Sequence, residues 1–276
     1  MRSFIPLLIF SLLIPAACKK VQTATPEVNV SQVKEITLDP NAPVWDAVSL
    51  HVSKMIPQDL VEPRLMEPST PEVQVKAITN GSEIAFRLEW PDESQSDMPG
   101  PRHFIDGCAV QIPAKIDPNV PAPQMGEVGK TVEISYWQAI VEGRADNINA
   151  IYPNASIDHY PSEAKPLEND PQAQAETAAR YAPARALGNR RSGPRDQPVE
   201  DLIAEGPSTL SPAPNAISKG KGVKTPKGWA VVITRPMTNG FSVSTPSQIA
   251  FAVWEGSHIE VGARKMRTGW VPLILK

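Results

Sequence analysis

The sequence predicts an all-β fold: an antiparallel β-sandwich with a long irregular excursion and at most one or two short helices. Three observations support this prediction. The 276 residues include 30 prolines against 16 glycines, and prolines interrupt helices but are tolerated at strand ends and in ordered loops. Short stretches alternate between apolar and polar residues, which is the period of a half-buried strand. Clusters of turn-forming residues separate most of these stretches.

The clearest local signal is a β-hairpin centred on Asn80-Gly81. Residues 73–78 and 84–90 both alternate between apolar and polar, and Asn-Gly between two such stretches favours a tight hairpin turn. The same pattern predicts further strands at residues 108–112, 132–139, 229–234, 248–254 and 269–275. Their number and spacing are typical of a two-layered sandwich.

The segment from residue 152 to residue 227 has a different pattern. Its first part is acidic and interrupted by prolines, residues 172–180 predict one short helix, and the remainder predicts irregular structure. A stretch of this length without regular structure is unusual inside one domain and is often functional. We expect it to wrap around the sandwich and close a pocket, or to contact a partner subunit.

The N-terminus predicts export and a lipid anchor. Arg2 precedes an apolar run at residues 4–14 that is too short to span a bilayer. The small residues Ala16-Ala17 before Cys18 are typical of a bacterial lipobox, in which the cysteine is acylated after cleavage. The alternative is an ordinary signal peptide cleaved after Ala17. We expect a signal at residues 1–18, a tether at 19–42 and one folded domain at 43–276, held on the periplasmic side of a membrane.

Composition and missing motifs exclude several classes of function. The formal net charge is −3, so no nucleic-acid partner is expected. The sequence has no glycine-rich phosphate loop, no HExxH and no zinc-type CxxC pair. It also lacks CxxCH, so a haem would be bound noncovalently. The four histidines are scattered, at positions 51, 103, 159 and 258. These features indicate that the chain has little catalytic chemistry of its own.

Several motifs occur in the order found in one known family. They include a Met-Gly turn at residues 121–126 with a W-x-A strand behind it, a D-x-x-A-V-Q-x-P strand at residues 106–113, and an A-V-W-E-G hairpin at residues 252–256 with Arg264-Lys265 and Trp270 after it. In these motifs the chain resembles the haem b-binding γ subunits of ethylbenzene-dehydrogenase-type molybdoenzymes. The resemblance runs from about Trp45 to the C-terminus.

The resemblance implies one haem b whose iron is held by Met125 and Lys265. A thioether is soft and neutral and stabilises Fe(II), whereas an amine can bind iron only after losing its proton. The alternatives are an ordinary core methionine and a solvated lysine. Other residues are candidates for related roles: Met98, Met237 and Met266 as competing methionines; Arg235, Arg264 and Arg267 as partners of the haem propionates; Cys108 as a buried thiol; and Trp137, Trp254 and Trp270 as core aromatics, with contact to the pocket as the alternative.

The function implied by the resemblance is electron transfer. The chain would relay electrons between an iron–sulfur β subunit and an external carrier such as a c-type cytochrome, while the molybdenum chemistry belongs to an α subunit. A lipid anchor on Cys18 would hold this complex at a membrane. Two other hypotheses remain: a membrane-anchored carbohydrate-binding lipoprotein without haem, and a structural accessory that only tethers an enzyme complex.

Overall fold

Thirteen β-strands, one α-helix and two short 3₁₀ turns make up the regular structure of the described residues. The computed structural model describes residues 23–139 except 68, 99 and 101, residues 170–181 with 184 and 187, and residues 197–275. The strands are β1 (Val28–Gln32), β2 (His51–Lys54), β3 (Glu72–Thr79), β4 (Glu83–Pro91), β5 (Gly107–Pro113), β6 (Val132–Gln138), β7 (Val199–Ala204), β8 (Ser211–Pro212), β9 (Lys219–Thr225), β10 (Gly228–Pro236), β11 (Ser247–Trp254), β12 (Met266–Arg267) and β13 (Val271–Leu275). The helix α1 spans Pro171–Tyr181, and the 3₁₀ turns span Pro43–Ala47 and Gly256–His258.

The strands form one continuous ladder in the order β8-β7-β6-β5-β11-β13-β1-β3-β4-β10-β9, with β2 on β3 and β12 on β11. Strand β11 divides this ladder into two sheets. Its first residues, 247–249, pair with β13 in what we call the large sheet, which also contains β1–β4, β9 and β10. Its residues 250–254 pair with β5 in what we call the small sheet, which also contains β6–β8 and β12.

The main core lies between the two sheets. It combines inward-facing residues of the large sheet, such as Phe86 and Leu88, with Cys108, Val110 and Ile112 of the small sheet. The fold is therefore a β-sandwich, as the sequence predicts. Pairing is antiparallel apart from β1, which runs parallel to both β3 and β13.

Each sheet also carries a second layer on its outer face. On the large sheet, residues 33–48 cover Ile78 and Ala85 with Trp45 and Val48. On the small sheet, Val132, Ile134 and Leu202 form a separate apolar cluster under loops. Because of this outer layer, all seven residues of β5 are buried, on both faces of the strand.

Two predictions about regular structure are wrong. The tether predicted at residues 19–42 includes β1, which lies in the middle of the large sheet. The irregular excursion predicted up to residue 227 includes β7, β8 and β9. The predicted helix at residues 172–180 is confirmed by α1. Residues 140–169 and most of 182–196 of the excursion lie outside the described residues.

Candidate functional site

A cavity of about 430 Å³ lies on the outer face of the small sheet. Its floor is built from outward-facing residues of adjacent strands: Ala109 pairs with Ala252, and Ala250 pairs with Gln111. Alanines at neighbouring positions of a sheet leave a flat surface with room above it. The cavity lining is mostly apolar, and its size falls in the range of small-molecule and cofactor sites, roughly 300–1,000 Å³.

Met125 reaches this cavity from a strained turn before β6. Its φ angle is 68°, and that of Gly126 is 80°, so two consecutive residues adopt the left-handed conformation that non-glycine residues avoid. A Cβ atom on Gly126 would lie 2.8 Å from the Lys130 carbonyl oxygen and 2.9 Å from that of Ala204. The Met125 carbonyl accepts a hydrogen bond of 2.8 Å from Gly206 N. The Met-Gly turn is therefore held in a form that directs the methionine side chain over the sheet.

Two polar side chains fix the loop that carries Met125. Gln111 Nε2 on β5 donates to the Pro123 carbonyl at 3.0 Å. Trp270 Nε1, just before β13, donates to the Pro121 carbonyl at 2.6 Å. Both donors belong to the rigid sheet region, so they determine where the methionine sulfur lies.

Lys265 reaches the cavity from the loop after β11. Trp254 Nε1 donates to the Gly262 carbonyl at 3.1 Å and so holds this loop against the sheet. Lys265 Nζ lies 5.2 Å from the centre of the Trp254 ring. Burial, with a smaller contribution from the charge of Arg267, lowers the pKa of Lys265 to about 8, because a low-dielectric environment disfavours the ammonium form.

The structure brings Met125 and Lys265 together. Lys265 Nζ donates to Met125 Sδ at 3.9 Å, and both residues line the cavity. A metal held between a thioether and an amine on opposite sides needs a separation of about 4.3 Å, taking bonds of about 2.3 Å to sulfur and 2.0 Å to nitrogen as in zinc sites. The donor set, the spacing and the flat apolar floor therefore fit a metalloporphyrin.

The other candidate metal ligands lie elsewhere. Met266 is fully buried in the main core, Met237 packs against that core, and Met98 does not line the cavity. Cys108 is buried in the main core, beneath the cavity floor, and burial raises the pKa of its thiol. None of the three described histidines lines the cavity, and the fourth, His159, is outside the described residues.

The three candidate arginines occupy different environments. Arg235 lies between the sheets, 3% exposed, and forms an ion pair with Glu133. Arg264 is not among the residues lining the cavity, whereas Arg267 is. Of the three arginines, Arg267 is therefore the one placed to contact a ligand in the cavity.

The tryptophans are all described, and none of the six is exposed. Trp137 is a core residue, as predicted, in edge contact with Trp90 and Trp229 across the sandwich. Trp254 is buried in the apolar cluster of the small sheet, as predicted, and its ring also lines the cavity. Trp270 is partly buried beside the apolar cluster of the small sheet. The tryptophans therefore do not form an open platform of the kind a sugar-binding surface would use.

Sequence reasoning missed part of the cavity wall. Gln58 accepts hydrogen bonds from Leu60 N and Val61 N, both at 2.8 Å, and donates to the Ala263 carbonyl at 3.1 Å. The hydrogen bond to Ala263 joins the loop of Gln58 to the loop of Lys265. Gln58, Leu60 and Val61 all line the cavity. The sequence has no apolar pattern there. A signal was available for Gln111, because it is the one polar residue between Cys108 and Ile112 in a strand buried on both faces.

Part of the predicted excursion does reach the cavity. The cavity wall includes Leu202 of strand β7 and, after that strand, Pro207 and Leu210. The predicted export signal and Cys18 lie outside the described residues. Within the described residues, no helix is long and apolar enough to cross a bilayer.

Fold and site together define a β-sandwich protein with a cofactor-sized pocket on one outer sheet face. A model of the family described as "Ethylbenzene dehydrogenase" matches residues 42–266. The chain therefore belongs to this family, that of the γ subunits of ethylbenzene dehydrogenase. These proteins are haem-binding electron-transfer subunits of molybdoenzyme complexes.

Individual relatives are distant. One is a protein of Haloferax mediterranei named "Putative respiratory nitrate reductase heme subunit ORF7", 21% identical over 238 residues, which are 84% of this chain and 66% of that protein. Among solved structures, two are of a family 9 carbohydrate-binding module from Caldicellulosiruptor kristjanssonii. The glucose complex has a TM-score of 0.46 at 10% identity, covering 90% of this chain and 95% of that one. The cellotriose complex has a TM-score of 0.45 at 8% identity, covering 91% and 95%.

Proposed function

We propose that the chain is an electron-transfer subunit that binds one haem b noncovalently, with Met125 and Lys265 as the axial ligands of the iron. The observation that carries this proposal is the 3.9 Å approach of Met125 Sδ to Lys265 Nζ. The two residues come from loops 140 positions apart and meet above a flat apolar floor. Family membership supports the same proposal.

The residues of the pocket prepare both ligands. The turn at Met125 is fixed by hydrogen bonds from Gln111 and Trp270 to its loop, so little conformational freedom is lost on binding. The lowered pKa of Lys265 reduces the free energy needed to remove the proton that an amine must lose before it binds a metal. The lining of the cavity around both side chains is mostly apolar.

A haem bound in this way supplies one-electron chemistry. With a residue on each side of the iron, no position is left for a substrate or for dioxygen, so the chain would carry electrons and leave catalysis to another subunit. We place the molybdenum site in an α subunit and iron–sulfur clusters in a β subunit, with a c-type cytochrome as the external partner.

The N-terminal part of the proposal concerns location. Acylated Cys18 would hold the complex on the periplasmic side of a bacterial membrane. Cys18→Ser should move the protein from the membrane fraction to the soluble fraction. Recovery of both wild type and variant in the soluble fraction would favour the ordinary signal peptide cleaved after Ala17.

An absorbance spectrum tests the haem. The full chain purified from haem-replete cells should show a low-spin Soret band, and its pyridine haemochrome should be that of haem b. Met125→Ala and Lys265→Ala should each lose haem or change its spin state. The controls are Met98→Ala and Lys227→Ala, which remove a methionine and a lysine that do not line the cavity. Both controls should retain the wild-type spectrum. A colourless protein would refute the function, and unchanged low-spin spectra in both ligand variants would refute the ligand assignment.

A further inference from the structure

Strand β12 and the residue just before it direct two cationic side chains toward the cavity. Its residues Met266 and Arg267 pair with Val253 and Ala252 of β11. Met266 is fully buried in the main core, so Arg267 projects to the opposite face, where Ala252 forms part of the floor. Lys265 and Arg267 both line the cavity, as expected for positions two apart in an extended chain.

The backbone of Arg267 is held firmly in place. Its N–H donates to the Ile56 carbonyl at 3.2 Å, and its own carbonyl accepts from Ile56 N at 2.7 Å. These bonds lie on the side of β12 opposite β11. The guanidinium therefore extends into the cavity from a fixed point.

The hydrogen bonding of the Arg267 side chain is incomplete. The side chain is 11% exposed, and its Nη2 makes one long contact of 3.4 Å with Asp59 Oδ1, a carboxylate that is 53% exposed. Its Nε is buried and has no hydrogen-bond partner among the described residues. A buried guanidinium N–H without an acceptor is costly, and such groups are ordinarily paired.

The charged residues in the described lining of the cavity are all cationic. Lys265 and Arg267 are the charged residues in its described lining, which contains no aspartate or glutamate. An anionic group on the ligand would compensate the positive charge of Arg267. Guanidinium binds carboxylates through paired N–H donors, more strongly than neutral hydrogen bonds do.

We infer that Arg267 is the anchor for a carboxylate of the bound ligand. This inference rests on the proposed function, under which the carboxylate is a haem propionate. Arg235 is excluded from this role by its position between the sheets and its ion pair with Glu133. Arg264 also has a buried, unpartnered Nε, but it does not line the cavity. Arg264 is therefore the matched control.

The test titrates the haem-free full chain with haem and with haem dimethyl ester, in which both carboxylates are masked, and follows the Soret band. Wild type should bind haem about tenfold or more tightly than the ester, the usual range for a hydrogen bond to a charged group. Arg267→Gln should bind haem correspondingly more weakly and lose most of the preference over the ester. Arg264→Gln should behave as wild type.

Asp59→Asn separates ligand binding from a structural role of the Arg267–Asp59 contact. This variant removes the competing carboxylate and should bind haem at least as tightly as wild type. Arg267→Gln with an undiminished preference for haem over the ester would overturn the inference while leaving the proposed function intact. A wild-type protein that binds neither compound would overturn both. Circular dichroism of each variant verifies that the fold is retained.

Discussion

Trp270 Nε1 donates a hydrogen bond of 2.6 Å to the carbonyl oxygen of Pro121, across 149 positions of sequence. The bond connects the approach to β13 with the loop that carries Met125. Because the donor is fixed by the sheet, the position of the methionine sulfur depends on a residue that does not line the cavity.

Trp270→Phe is therefore expected to weaken haem binding by about two- to tenfold, the value of one net hydrogen bond. Trp45→Phe is the control, since Trp45 Nε1 makes the same type of bond to the Asp39 carbonyl, at 3.0 Å, on the large sheet. Soret titrations measure the affinity and urea unfolding measures stability. The interpretation is wrong if the two variants bind haem equally well.

The glycine of the Met-Gly turn gives a second prediction. Gly126→Ala places a Cβ atom against two carbonyl oxygens and also forces alanine into a left-handed backbone conformation. At Gly129, a Cβ atom would meet nothing within 4 Å, so Gly129→Ala is destabilised only by the φ angle of 77°. We expect a loss of about 1 kcal/mol of unfolding free energy for Gly129→Ala. Gly126→Ala should lose clearly more and should also lose haem. Similar losses in the two variants would contradict the steric account.

The carboxyl group of Asp106 predicts a pH dependence of stability. It accepts hydrogen bonds from Ser96 N and Gly256 N at 2.8 Å and from Trp229 Nε1 at 3.0 Å. Burial, opposed by these bonds, raises its pKa from 3.8 to about 6. The folded state therefore binds this proton more tightly than the unfolded state, and the group destabilises the fold progressively as pH rises from about 4 to about 6, by about 3 kcal/mol in total.

Asp106→Asn removes this titration. The unfolding free energy of wild type minus that of the variant should fall as pH rises from 4 to 6 and level off above pH 7. Urea unfolding at unit pH intervals measures the difference. Parallel curves for the two proteins would show that Asp106 titrates normally.

The ion pair between Arg235 and Glu133 gives a fourth prediction. Its side chains are 3% and 25% exposed, so Glu133→Ala leaves a cation without its partner inside the sandwich and should cost about 3 kcal/mol. Glu89→Ala breaks the pair with Arg87 on a more open surface, where the side chains are 16% and 32% exposed, and should cost less than about 1 kcal/mol. Thermal unfolding compares the two. Comparable losses of stability in Glu133→Ala and Glu89→Ala would indicate that burial does not determine how much the Arg235–Glu133 pair stabilises the fold.

The strands with strong local patterns could be predicted from the sequence. The Asn80-Gly81 pair and the alternation on either side of it predict the hairpin of β3 and β4. In the structure Asn80 Oδ1 closes this turn by accepting local bonds from Ser82 N and Glu83 N, at 3.0 Å and 2.8 Å. Strand β7 was missed because its buried Asp201 interrupts the apolar pattern. That carboxylate accepts from Ser218 N at 2.8 Å and from the Ser135 hydroxyl at 3.1 Å, partners that only the fold supplies.

Strands β9 and β1 were missed for other reasons. Strand β9 ends the ladder, and an edge strand needs no apolar alternation. Strand β1 is only five residues long, and its partners on β3 and β13 are distant in sequence. The candidate ligands had no local signal either, because nothing in the spacing of Met125 and Lys265 brings them together. Only the resemblance to the family indicated the pair.

The position of β1 between β3 and β13 has a consequence for biosynthesis. A ribosome must add residues 271–275 before the second edge of β1 finds its partner, so a growing chain carries a strand edge with unpaired backbone N–H and C=O groups throughout most of its synthesis. Lys265 is also added late, so a cofactor held by Met125 and Lys265 would be inserted only near the end of synthesis.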